Sequence, residues 1–370
     1  MKPTNMTSQL FSFYGKLIAA TALILCSCVA LAQDTLHYVK AMDFVFLGKP
    51  KVTDQLFHRI DTKETKGMTK AVQGLSKNSA GISLIFESNS PVIAVKWELA
   101  ENKVMANMTP IAHSGLDLYA YKNRKWQYVN AGKPMKDSLN QTQVIIQNMD
   151  TTVKQFMLYL PLYNSINALS IGVSKNAKIS PPSKVNIKQS KRVVIYGSSI
   201  VQGASASRPG LAYPAILQRK LGMDVINLGF SGSAKMEIEV AEYLATLQAD
   251  CYVLDCIPNQ TAAQIKARAL PFIKYLRSQK PNTPIILVES VVREHGFFDQ
   301  KVDMEVVAQN NAIREAYNQL KKEHYKNIFY VPATDFMGND HEGTIDGVHL
   351  TDVGFSRIAD AIMKVIKRCL

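Results

Sequence analysis

Ser199, Asp346 and His349 are the residues of this chain whose types could together do chemistry. Ser199 stands in Gly197-Ser198-Ser199-Ile200, and Asp346 and His349 close a short Asp-Gly-Val-His run near the C-terminus. A serine hydroxyl is a weak nucleophile until an imidazole takes its proton. The imidazole in turn needs a carboxylate to hold its tautomer and stabilise its charged form. Acyl transfer also needs N–H donors placed in advance for the oxyanion. Gly232, in Gly229-Phe230-Ser231-Gly232-Ser233, lies in a loop whose backbone can approach a substrate closely. Asn259, after Pro258, offers a side-chain amide, and Ser199 adds its own main-chain N–H. Each feature alone has a plainer reading as a turn, a helix N-cap or a capping pair. Their weight comes from occurring together, three just after strands and the Asp346–His349 pair after the last strand and directly before the closing helix.

Those strands follow from the pattern after Lys191. Apolar stretches at Val193–Tyr196, Asp224–Leu228, Cys251–Asp255, Ile285–Glu289 and Ile328–Val331 alternate with helical ones. The helices are expected at Tyr213–Leu221, Glu237–Leu247, Ala262–Ser278, Val306–Glu323 and Gly354–Cys369. Such alternation means a parallel sheet covered on both faces, with its site at the carboxyl ends of the strands. Before it, short apolar or alternating stretches such as Ile82–Phe86, Val92–Leu99, Leu116–Tyr121 and Phe156–Leu160 are separated by turn signals. They predict an all-β sandwich, jelly-roll-like, over residues 33–182. A Pro-Pro pair at 181–182 and the polar residues 183–190 read as a linker to a domain over 191–370.

Residues 191–370 resemble the SGNH, or GDSL-like, hydrolase superfamily, on four blocks in that family's order. They are Gly197-Ser198-Ser199-Ile200, Asn227-Leu228-Gly229-Phe230-Ser231-Gly232, Asp255-Cys256-Ile257-Pro258-Asn259 and Asp346-Gly347-Val348-His349. The resemblance implies a three-layer α/β/α, flavodoxin-like domain without a metal or other cofactor. It puts Ser199 on the catalytic serine, His349 and Asp346 on its partners, and Gly232 and Asn259 on the oxyanion hole. Ser198 replaces the family's usual aspartate, and of the third block's pattern only the asparagine persists. Upstream, Ser114-Gly115-Leu116-Asp117-Leu118-Tyr119 resembles the GxDLY signature of a β-rich domain preceding such hydrolases in exported bacterial esterases. That arrangement implies removal of acetyl groups from polysaccharides. The alternatives are a lipid or thioester hydrolase with the same triad, and a non-catalytic glycan-binding protein.

At the N-terminus, Leu17–Ala32 is apolar and uncharged and ends in Ala30-Leu31-Ala32, a small-x-small cleavage site. Residues 1–32 are therefore expected to be a signal peptide, giving a periplasmic or secreted chain; lipid attachment at Cys28 is a weaker reading. The run is short for a membrane span. A formal net charge of +13 is scattered without a basic block, which argues against nucleic acid and allows a mild preference for acidic polymers. Cys251 and Cys256 lack the spacing of a metal or redox pair and read as buried thiols, as Cys369 reads as inert. His295 and His341 read as loop histidines and Asp117 as a structural hydrogen-bonding residue. Trp97 and Trp126 are expected in the core or between sheets, and Glu289 is a candidate substrate contact.

Overall fold

The computed structural model describes residues 36–334 and 336–370; the proposed leader and Cys28 lie outside them. The N-terminal half is two antiparallel sheets. One orders Leu36–Lys40, Ile166–Ser174, Ile93–Leu99 and Asn140–Ile146. The other orders Ile179–Ser180, Ser83–Ser88, Lys154–Tyr159, Leu116–Lys122 and Lys125–Gly132, with Val45–Leu47 added to Ser83–Ser88. Alternation places Val95, Trp97 and Leu99 inward while Lys96 and Glu98 face out. These meet Phe86, Leu118 and Phe156 of the facing sheet in one apolar layer, as a sandwich requires. Trp97 is in this core, its indole N–H donating to Ser114 O at 3.1 Å, and Trp126 is half-buried edge-on to Tyr121.

Among the strands that escaped the sequence reading are Leu36–Lys40 and Lys125–Gly132. Both are outermost strands, and neither buries a continuous face, so neither carries a clear apolar alternation. Asn123-Arg124 joins the strands Leu116–Lys122 and Lys125–Gly132: φ is +52° and +61°, suited to a two-residue hairpin.

The C-terminal half is a five-stranded parallel sheet. Its order is Met223–Gly229, Lys188–Gly197, Cys251–Asp255, Ile285–Val288, Ile328–Val331. Counted along the chain this is the flavodoxin-like order 2-1-3-4-5, whose direction of winding switches between the first and third strands. Val193 and Ile195 face the layer built with Tyr213–Leu221 and Asp352–Cys369. Val194 and Tyr196 face the layer built with Ile238–Ala245, Ala262–Gln279 and Gln300–Lys322. Burial on both faces is why these strands read as unbroken apolar runs. The first strand starts at Lys188, paired with Met223, so ordered sheet reaches into residues expected to be linker; a bulge before Arg192 explains why its polar start does not look like a strand.

The halves are joined by buried polar contacts. Asp117, fully buried, accepts from Arg208 at 2.7 Å and from the Gly210 N–H at 2.8 Å. Gly210 must lack a side chain here, since a Cβ would lie 2.6 Å from that carboxylate.

Candidate active site

The apolar strand ending at Gly197 delivers the chain into a short helix, Ser199–Gln202, at the sheet's carboxyl edge. Ser198 caps it, its hydroxyl accepting the Ile200 N–H at 3.2 Å, and Gly203, at φ +105°, ends it. Ser199 is thus the first helical residue, and its N–H is one of the donors that a helix start leaves free. The next strand end comes very close: a Cβ on Gly229 would sit 2.1 Å from Gln202 N.

Across this edge Ser199 Oγ lies 3.0 Å from His349 Nε2, and His349 Nδ1 lies 2.7 Å from Asp346 Oδ2. Asp346 and His349 meet through a tight turn. The other carboxylate oxygen, Oδ1, accepts the main-chain N–H of His349 at 2.7 Å and of Val348 at 3.1 Å, with Gly347 at φ +83° between. Partial burial works upward on the Asp346 pKa. The hydrogen bonds from His349 and Val348 outweigh it and hold the carboxyl at about 2, so the group is an ionised acceptor at neutral pH.

The second and third strand ends supply the neighbouring donors. Gly232 is exposed at φ +67°, where only glycine is unstrained, and its N–H has no acceptor among the described residues. Asn259 Nδ2 donates to Phe230 O at 3.4 Å, which ties the third loop to the second. Gln202 links the nucleophile helix to the same loop, its Oε1 accepting the Ser231 N–H at 3.1 Å. The first and third strands are the pair at the winding switch, so Ser199 and Asn259 flank the crevice that this topology opens.

Comparison with known proteins then decides the family. The GDSL-like Lipase/Acylhydrolase family profile matches residues 190–367, and the profile for the N-terminus of SGNH-hydrolase-type esterases, GxDLY, matches residues 36–179. A crystal structure from Bacteroides ovatus ATCC 8483, described as a GDSL-like lipase, is 43% identical over 90% of this chain and 98% of its own, with TM-score 0.87. The chain belongs to the GDSL-like lipase/acylhydrolase family. This acylhydrolase is a carboxylic ester hydrolase. Its fold is shared by a salicylyl-acyltransferase from a tetracycline biosynthetic pathway, at 18% identity, 90% and 97% coverage and TM-score 0.72. An acetyl xylan esterase from Butyrivibrio proteoclasticus shares it at 12% identity, 90% and 98% coverage and TM-score 0.54. A search of the curated proteins finds no match.

Two residues of the acylhydrolase reach this site from the sandwich half without any signal in the sequence. Asn107 Nδ2 lies 3.3 Å from Asp346 Oδ2 and 3.4 Å from His349 Nδ1. Arg59 is wholly buried and pairs with no carboxylate among the described residues. Its guanidinium donates to Gly229 O at 2.6 Å, Asn227 O at 3.2 Å, Leu75 O at 2.7 Å and, through Nε, Asn78 O at 3.1 Å, over the Phe230 ring. It clamps the strand end that leads into the Gly232 loop. Only an alignment in three dimensions could expose either, because the partners they meet in the hydrolase half lie more than a hundred residues away.

Of the other candidates, Glu289 departs from expectation. Glu289 does not face a substrate. It is buried, and its carboxylate is occupied by Arg314 and Tyr330 at 2.5 Å and by the Ala333 N–H at 2.7 Å. His341 is exposed and pairs with Glu294, and His295 is exposed in a short 3-10 helix, Glu294–Phe297, with its ring against Gly347. Cys251 and Cys256 are buried free thiols, with burial raising both pKa values.

Proposed function

We propose that this acylhydrolase is an exported serine esterase that removes short acyl groups, acetyl above all, from hydroxyls of a polysaccharide. The observation that carries the mechanism is the hydrogen-bonded chain Ser199 Oγ, His349 Nε2, His349 Nδ1, Asp346 Oδ2, with its links of 3.0 and 2.7 Å. His349 takes the Ser199 proton as Oγ attacks the ester carbonyl, and ionised Asp346 stabilises the imidazolium. The oxyanion is held by the N–H groups of Ser199 and Gly232 and the Asn259 amide. His349 then protonates the leaving alcohol, giving an acyl-enzyme, and the same base activates the water that releases the acid.

The acetyl group is supported by the fold likeness to an acetyl xylan esterase. The glycan is supported by the fold likeness to an acetyl xylan esterase and by the sandwich half. Export is supported by the apolar run ending in Ala30-Leu31-Ala32. Among the described residues no helix is long and apolar enough to cross a membrane.

The test is p-nitrophenol release from p-nitrophenyl acetate and p-nitrophenyl butyrate, and acetate release from a panel of acetylated polysaccharides, for wild type and Ser199→Ala. A loss of about 10⁴-fold or more in the variant supports the mechanism, and release from a polysaccharide names the substrate class. Full activity in Ser199→Ala overturns the mechanism. Hydrolysis of butyrate with no polysaccharide accepted overturns the glycan.

A further inference from the structure

Asn107 belongs to the loop between the strand Ile93–Leu99 and the short helix Pro110–Ser114, far from the triad in sequence and in contact with two of its members. We infer that Asn107 is a positioning residue for the Asp346–His349 pair, contributed by the sandwich half. The inference rests on the catalytic reading of Ser199, His349 and Asp346.

The hydrogen-bond inventory carries the argument. Asp346 Oδ1 accepts two main-chain N–H groups, and Oδ2 accepts the His349 ring N–H at 2.7 Å and the Asn107 amide at 3.3 Å. Both oxygens are therefore occupied twice, and the carboxylate cannot rotate away from His349 without breaking several of these bonds. The 3.4 Å approach of Asn107 Nδ2 to His349 Nδ1 is a different contact. With its proton directed at Asp346, Nδ1 has no lone pair to offer an amide donor, so this approach limits the ring's sideways movement. The one Nδ2 atom of Asn107 thus touches both the carboxylate and the imidazole.

The loop is built to hold that amide still. On one side of Asn107, Asn164 is fully buried; its Oδ1 accepts the Lys103 N–H at 3.2 Å and its Nδ2 donates to Lys103 O at 3.1 Å. On the other, Met108 is buried in the C-terminal half's core, and the Thr109 hydroxyl donates to Ser207 O at 2.6 Å. Ser207 is fastened in turn, its N–H donating to Asp352 at the start of the last helix. The loop is thus stapled to the sandwich before Asn107 and to the hydrolase half after it. Other ionisable groups near the pair are His295 against Gly347, Glu294 paired with His341, Arg293 bonded to Pro258 O, and Asp352.

The experiment uses the full chain with p-nitrophenyl acetate, measuring kcat and KM from about pH 5 to about pH 9 for wild type, Asn107→Ala, Asn107→Ser, Asn107→Asp and Ser199→Ala. Thermal unfolding of each variant accompanies it. Asn107→Ala is expected to lower kcat about 10-fold with KM within about twofold, and Asn107→Ser, which keeps a donor, to recover part of that loss. Asn107→Asp places a second negative charge beside the imidazolium and stabilises it. Its ascending limb of kcat/KM therefore moves to higher pH, by about half a unit or more. Wild-type kcat and an unmoved limb in all three folded Asn107 variants, with Ser199→Ala inactive, overturn this inference alone. A loss confined to KM, with the limb unmoved, also overturns it in favour of a substrate contact. An active Ser199→Ala removes the catalytic reading beneath it.

Discussion

The sandwich and the parallel sheet differ in where their polar groups can go. In the sandwich each strand has one buried and one solvated face, so polar side chains spread along every strand, as Lys96 and Glu98 do between Val95, Trp97 and Leu99. In the parallel sheet both faces are covered, and Val193–Tyr196 and Cys251–Asp255 are buried throughout. Its polar chemistry is pushed to the strand ends, where Ser199, Gly232, Asn259 and the Asp346–His349 turn gather. A parallel α/β layer concentrates function at one edge, and a sandwich lends loops to it. Asn107 and Arg59 are such loans, and Asp117 shows the third possibility, a sandwich residue that only joins the halves.

The sharpest test of that division is Asp117→Ala. It leaves Arg208 and the Gly210 N–H without their buried partner and should lower stability by about 3 kcal/mol, read by urea unfolding. The kcat of the molecules that remain folded should match wild type. A collapse of kcat at unchanged stability would instead make the GxDLY aspartate part of the chemistry and break the comparison.

Asn259→Ala should do the reverse. Loss of one oxyanion donor lowers kcat by about 10²–10³-fold while the urea midpoint hardly moves. An unchanged kcat would remove Asn259 from the oxyanion hole and leave it as the tie to Phe230 O.

The smallest expected effect concerns the polar cost of the buried sheet itself. Asp255 is wholly buried at the end of the third strand, and burial lifts its pKa from the ordinary 3.8 to about 7, only partly opposed by the Tyr213 hydroxyl donating at 2.8 Å. Its folded pKa is raised, so its contribution is most favourable below about pH 4 and declines as pH climbs towards 7. Asp255→Asn mimics the protonated acid. It should gain on the order of 2 kcal/mol near pH 8 and nothing near pH 4. Equal stability of the two proteins at both pH values would show that the carboxyl is not strained by burial.

Much of this was legible beforehand, for physical reasons that can be named. A covered parallel strand must be an apolar run, and a site residue must follow it. The sequence by itself therefore determined the alternating architecture and put Ser199, Gly232, Asn259 and His349 just beyond strand ends or before the closing helix. Asp346 and His349 were legible as a pair because the turn joining them is local. Outer strands such as Lys125–Gly132 were not, because a strand with solvent on most of its surface needs no apolar period. The inward turn of Glu289 was also hidden, since its partners Arg314, Tyr330 and Ala333 come from later elements. Only the tertiary structure decided that Asn107 meets Asp346 and that Arg59 grips Gly229 and Asn227. A single polar side chain in a loop has no period and no spacing to its partner. What selects it is the packing of one half on the other, which no local pattern encodes.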